Sequence, residues 1–122
     1  MQALAVTAYG NPQTANMSAR SAEYQVIARI TSRMQKALDK GPLGFASLAD
    51  ALTENRRLWT EFATDVADSD NMLPEALRAQ IMGLAAFTLR HTEAVMAGQA
   101  SADVLIEINV AIMRGLSGKE HV

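Results

Sequence analysis

The sequence predicts an all-α fold, most simply a small single-domain bundle of about four helices. Apolar residues recur at spacings of three and four along most of the chain, and no stretch alternates with a period of two. Glycine and proline fall between the periodic segments, where they end helices. With 122 residues, of which 49% are hydrophobic, the chain is long enough for one globular domain and too short for two.

The N-terminal residues 1–17 interrupt any helical period, because glycine, proline and two asparagines fall among them. We therefore expect an extended, mobile arm there, followed by a helical domain over residues 18–117. Residues 118–122 are expected to form a frayed tail, because glycines weaken the end of the last helix.

The first predicted helix begins near Ser18 or Ser21, both suitable N-caps, and runs to about Lys40. Gly41-Pro42 ends it, because proline cannot continue the hydrogen-bond ladder. Its apolar face is formed by Ile27, Ile30, Met34 and Leu38. Its opposite face carries the cations Arg29, Arg33 and Lys36.

The second predicted helix carries the most regular pattern in the chain, an apolar seam of about three heptads. The seam consists of Phe45, Leu48, Leu52, Asn55, Trp59, Phe62 and Val66. Asn55 is its single polar member. A polar residue in such a seam costs stability unless it is satisfied, and its usual benefit is to fix register or partner choice.

The third and fourth predicted helices are separated by Gly98, which suits a helix C-cap. Pro74 opens the third helix, and Ser101 caps the fourth. The fourth is apolar on almost every side, so we expect it to be either central in the core or covered by a partner. Its apolar residues are Val104, Leu105, Ile106, Ile108, Ile112, Met113 and Leu116.

Composition excludes several functional classes. The chain has 11 Lys and Arg against 13 Asp and Glu, a formal charge of -2, so we do not expect a nucleic-acid surface. It has no cysteine, and neither of its two histidines has a partner at metal-binding spacing. We expect no metal, no cofactor and no enzymatic activity, because no nucleophile or acid–base pair stands at usable spacing.

We also expect a cytoplasmic location without membrane insertion. The first nine residues contain no Lys or Arg, so the charged start of a signal peptide is lacking. The longest apolar stretch is Ile81–Phe87, far shorter than the roughly 20 residues that cross a bilayer.

Six residues are the candidates for binding a partner. They are Asn55, Arg56, Trp59, Phe62, Asn109 and Met113. Aromatic and arginine side chains dominate many interfaces, and methionine adapts to varied apolar partners. In the alternative interpretation, both asparagine amides bridge neighbouring segments inside the monomer, and the methionines merely fill gaps.

Four groups of residues stand in a recognisable order along the chain. They are Glu23-Tyr24 with Ile27 and Arg29-Ile30-Thr31; Ala51-Leu52 with Asn55-Arg56 and Leu58-Trp59-Thr60; Asn71-x-Leu73-Pro74 with Leu77-Arg78-Ala79; and Leu105-Ile106-x-Ile108-Asn109 with Met113-Arg114-Gly115-Leu116. Together, over about residues 18 to 117, they resemble the FlaF family of flagellar biosynthesis regulatory proteins. The N-terminal arm lies outside the resemblance.

The resemblance implies a non-enzymatic role in flagellin production and filament assembly, alongside a second regulator, FlbT. Its implied mode is protein binding, in which flagellin is engaged before export and its secretion is linked to its synthesis. Our hypothesis is that the second and fourth helices form a groove for a flagellin helix. In it, Trp59 and Phe62 are anchors, and Asn55, Arg56 and Asn109 fix the register.

Two other interpretations stay open at this stage. In the first, the protein binds flagellin message through the face of Arg29, Arg33 and Lys36, and this binding has a steep salt dependence. In the second, the seam of the second helix pairs with its own copy, so that the protein is a homodimer.

Overall fold

The computed structural model describes residues 12–117, with side chains from 22 to 115. Four α-helices make up this part of the chain: α1 (Pro12–Asp39), α2 (Phe45–Ala67), α3 (Glu75–Met96) and α4 (Asp103–Ser117). No strand occurs among residues 12–117. The predicted all-α fold of four helices is therefore confirmed.

Helix α1 begins earlier than the sequence suggested. It starts at Pro12 rather than near Ser18, so residues 12–17 are helical and not part of an extended arm. Proline is favoured at the first helical position, and residues 13–40 contain no proline or glycine that would stop a helix. The rest of the predicted arm, residues 1–11, and the predicted tail, residues 118–122, lie outside the described residues.

A short 3-10 turn, Gly41–Gly44, reverses the chain between α1 and α2. Gly41 has a φ of 62°, a left-handed conformation that favours glycine. Gly44 is buried, and a Cβ placed there would collide with the backbone carbonyl of Ala37 at the end of α1. The turn thus brings α2 back along α1 at a separation that only glycine permits.

The link between α2 and α3 is held by side chains that bind its backbone. The Asn71 side chain accepts a hydrogen bond from the Leu73 amide at 3.0 Å and donates one to the Asp65 carbonyl at 2.9 Å. Arg78, in the first turns of α3, donates to the Val66 carbonyl at 3.0 Å and the Asp68 carbonyl at 3.1 Å. Carbonyls at the end of α2 therefore find their partners on α3.

Helix α3 ends in a Schellman motif, as its glycine predicted. Gly98 has a φ of 76°, its amide donates to the Val95 carbonyl, and the Gln99 amide donates to the Ala94 carbonyl at 2.8 Å. The Ser101 hydroxyl then accepts the Asp103 amide at 3.2 Å, which confirms the predicted cap of α4.

The four helices do not surround the core equally. α2 packs closely against both α1 and α3, whereas α4 packs mainly against α1 and only slightly against α3. No Cα atoms of α2 and α4 come within 8 Å of each other. α2 and α4 therefore lie on one diagonal of the bundle, as α1 and α3 lie on the other, and α2 and α4 are joined only through side chains that cross its centre.

Candidate partner-binding site

The six candidate residues divide into a buried group and an accessible group. Asn55, Trp59, Phe62 and Asn109 have no solvent-exposed surface at all. Arg56 and Met113 are partly exposed. In this conformation only Arg56 and Met113 can contact another protein. Partner binding by the four buried residues stays a prediction, and it requires the bundle to open.

The buried group is organised by the amide of Asn109. Its Oδ1 accepts a hydrogen bond from the Trp59 indole Nε1 at 3.0 Å. Its Nδ2 donates to Asn55 Oδ1 at 2.9 Å and to Thr31 Oγ1 at 3.1 Å. Because an indole N–H can only donate, Trp59 fixes which way the Asn109 amide points.

Thr31 completes this buried network, and the sequence analysis did not find it. Its hydroxyl donates to the Ile27 carbonyl at 2.7 Å, which leaves the oxygen lone pairs for Asn109. The available signal was a threonine within an otherwise apolar helix face, four residues after Ile27. The network thus joins α1, α2 and α4.

The network stabilises the bundle only as a whole. Each hydrogen bond contributes about 1 kcal/mol net, but a partner left unpaired in the interior costs about 1–3 kcal/mol. One such atom already exists, since Asn55 Nδ2 is buried without a partner in the described part of the chain. The apolar surroundings are tight: the Trp59 and Phe62 rings meet edge to face, with centroids 5.0 Å apart.

Helix α4 carries a band of partly exposed apolar side chains, in addition to single, more exposed ones elsewhere in the described chain, which are Tyr24, Leu43, Phe45, Met72, Leu77 and Met82. Leu105 and Asn109 point into the core, and the residues on either side of that line remain partly exposed. One flank consists of Val104, Ile108 and Ile112, and the other of Ile106, Val110 and Met113. Of these six, only Val110 is not packed against the buried core. The second group, which we call the Met113 flank, therefore carries an apolar side chain that does not pack against the core of the described residues.

The cationic face of α1 is largely occupied by an acidic partner on α2. Arg29 contacts the Glu54 carboxylate at 2.7 Å, and Arg33 binds the other oxygen of the same group. The hydrogen bond from Arg29, together with the charge of both arginines, lowers the pKa of Glu54 below its ordinary value. Only Lys36 of the three cations lacks such a partner in the described chain, which weakens the RNA interpretation.

Glu23 on α1 is an unusual buried acid. It is 4% exposed, and its Oε1 has no hydrogen-bond partner among the described residues. Burial, followed by the negative charges of Asp65 and Glu61 on α2, raises its pKa from 4.5 to about 7. The folded chain therefore holds a proton at this position under conditions where an exposed glutamate is ionised.

A groove between α2 and α3 contains the remaining candidate, Arg56. Its guanidinium donates to the Glu93 carboxylate at 3.0 Å across the two helices. The groove also receives Arg57 from α2 and Arg90 from α3. Neither Arg57 nor Arg90 was among the residues predicted from the sequence. The available signal for Arg90 was its place one helical turn before Glu93, on the same exposed face of α3.

The described residues provide neither a metal site nor a membrane-spanning helix. No group of three or more His, Asp or Glu residues in the described chain is arranged to hold a metal ion. None of the helices described has the length and apolarity needed to span a membrane.

The chain was compared with known proteins. No curated protein and no solved structure matches it. A family model described as "Flagellar protein FlaF" matches residues 5–116. The match therefore extends before Ser18, so that part of the segment predicted to be an arm belongs to the matched region rather than lying outside it. Because it covers most of the sequence, the chain belongs to the FlaF family of flagellar proteins.

Proposed function

We propose that this protein is a non-enzymatic adapter that binds flagellin in the cytoplasm and couples its synthesis to its secretion and assembly into the filament. The observation that carries the proposal is membership of the flagellar FlaF family, together with a helical fold over residues 12–117 in which α4 keeps apolar side chains partly exposed. FlbT is proposed as a second partner in the same process.

The Met113 flank of α4 is the surface we assign to flagellin. A flagellin subunit awaiting export has amphipathic helices whose apolar faces are not yet covered by neighbouring subunits. Val110 is partly exposed and does not pack against the core of the described residues, and Met113 is flexible enough to fit varied side chains. This placement replaces the groove between α2 and α4, because Trp59 and Phe62 fill the space there.

Calorimetric titration of monomeric flagellin into the purified protein tests the proposal. Val110→Glu is expected to weaken binding at least about tenfold, because it removes an apolar contact and buries a charge in the interface. The matched control is Ala111→Glu, which places the same charge on the neighbouring exposed position of α4.

Circular dichroism must show that both variants keep the helical content of the parent protein. If the parent does not bind flagellin, the proposed function is wrong. If it binds but Val110→Glu and Ala111→Glu weaken the complex equally, the function stands and the Met113 flank is not the site.

A further inference from the structure

The groove between α2 and α3 is a second surface with its own chemistry. It is open to solvent, has a volume of about 690 Å³, and is lined by residues that include Thr53, Arg56, Arg57, Leu89, Arg90 and Glu93. We propose that this arginine groove binds an acidic peptide segment of a protein partner. The proposal does not rest on flagellin binding, since the groove shares no residue with the Met113 flank.

The cations of the groove are only partly neutralised by the protein itself. Arg56 is held by Glu93, but Arg57 and Arg90 are exposed and form no ion pair or side-chain hydrogen bond with any described residue. They approach the groove from two different helices. A guanidinium presents a planar fork of donors that matches a carboxylate, so two such groups can hold neighbouring acids of one peptide.

The other lining residues leave this recognition to the arginines. The Thr53 hydroxyl donates back to the Ala49 carbonyl at 2.9 Å, and the Thr60 hydroxyl to the Arg56 carbonyl at 2.8 Å. Their protons are therefore used within α2. Leu89 adds an apolar contact, so a segment that combines acidic residues with an aliphatic one fits both features.

A nucleic acid fits the groove less well than a peptide. No aromatic side chain lines it, so bases have no surface on which to stack. Glu61 and Glu93 also stand in its walls, where they repel a phosphate backbone that is charged at every nucleotide, whereas a peptide can place uncharged residues beside them. The whole chain carries a formal charge of -2, so the attraction for an acidic peptide must come from Arg57 and Arg90 in the groove itself.

Fluorescence anisotropy with a labelled peptide of Glu-Glu-Leu repeats tests the inference on the full chain. Arg57→Glu and Arg90→Glu are each expected to weaken binding at least about tenfold, because a guanidinium–carboxylate contact is replaced by repulsion. Lys36→Glu is the matched control: it makes the same change of charge on the exposed face of α1, away from the groove.

The outcomes separate this inference from its competitors. A selective loss in the two arginine variants, with no change in Lys36→Glu, supports the arginine groove. An equal loss in all three means that overall charge governs binding, and overturns it. Absence of binding by the parent protein, or tighter binding of a labelled oligouridine that requires Arg57 and Arg90, also overturns it. Val110→Glu should leave peptide binding unchanged, so failure of the flagellin proposal is seen independently.

Discussion

A single side chain, Asn109, decides how the centre of this bundle is arranged. Its amide uses both of its protons and its oxygen on partners from two other helices, and none of these atoms is exposed. A leucine at this position would leave the Trp59 indole N–H and the Asn55 amide buried without acceptor or donor. The polar residues that interrupt the apolar helix faces thus form hydrogen bonds with one another, and this gives them a structural role whatever partner the protein has.

Glu23 makes the stability of the protein depend on pH. Because its pKa is raised from 4.5 to about 7, the folded state binds more protons than the unfolded state between those values. The stabilisation that goes with this proton is complete below about pH 4.5 and is lost as the pH rises through about 7. The shift corresponds to a free energy on the order of 3 kcal/mol.

We predict that Glu23→Gln stabilises the protein at about pH 8. At that pH the buried Glu23 carboxyl of the parent is ionised, which is unfavourable in the interior, whereas glutamine stays neutral. The advantage over the parent should shrink as the pH falls towards 5, because the parent then carries a neutral carboxyl. Urea unfolding from about pH 5 to about pH 8 measures the difference in unfolding free energy between the variant and the parent. Glu107→Gln, on the exposed side of α4, is the control and should leave the pH profile unchanged. Equal unfolding free energies for Glu23→Gln and parent at pH 8 would contradict the prediction.

At the scale of the helices, the sequence predicted those features that depend on a short stretch of chain, such as a buried helix face, a helix end or a cap. The seam of α2 is buried from Leu52 to Val66, and Gly98 and Ser101 end α3 and begin α4 as expected. Phe45 is an exception: it lies at the first position of α2 and is 57% exposed, because the helix starts beyond the end of the core. Periodicity identifies a face but not where along a helix its neighbours stop.

The candidate site was harder to predict because it depends on which helices are neighbours. Trp59 and Phe62 are residue types that often anchor interfaces, and the sequence alone does not distinguish an interface anchor from a core residue. The diagonal placement of α2 and α4 makes them core residues. Arg90 was missed for the same reason, since it gains interest only beside Arg56 and Arg57 of another helix.

Two glycines should respond in opposite ways to substitution by alanine, because the space around a Cβ differs at the two positions. Gly44→Ala is expected to destabilise the protein by more than about 1 kcal/mol, because its Cβ would collide with the Ala37 carbonyl and push α1 from α2. Gly83→Ala, inside α3 with open space around it, should stabilise the protein by about 1 kcal/mol through helix propensity.

Thermal and urea unfolding of the two glycine variants measure both changes. The pair forms its own control, since each adds one methyl group to the same protein. If Gly44→Ala proved as stable as the parent, the close approach of the 3-10 turn to the end of α1 would be wrong. If Gly83→Ala were destabilising, some contact on the outer face of α3 would have to exist.

For the molecule as a whole, the unequal packing of the four helices links stability to the proposed function. α1, α2 and α3 form a consecutive set in which α2 lies against both others, whereas α4 depends mainly on α1 and on the side chains that reach it from α2. The seam of α2 that suggested a homodimer is already buried inside this arrangement. The Met113 flank that we assign to flagellin is therefore on α4, the helix that the described part of the monomer holds least.

We predict that α4 opens more readily than the rest of the bundle, and that flagellin reverses this. In hydrogen exchange, amides in the middle of α4 should be less protected than those in the middle of α2, because separating α4 breaks the Asn109 contacts, its interface with α1 and a small one with α3, whereas separating α2 breaks two large interfaces. Bound flagellin should raise protection in α4 much more than in α3, and Val110→Glu should abolish that gain. Equal protection of all four helices in the free protein would mean that α4 unfolds only with the whole domain. Protection gained on α3 but not α4 would move the flagellin site to the other side of the bundle.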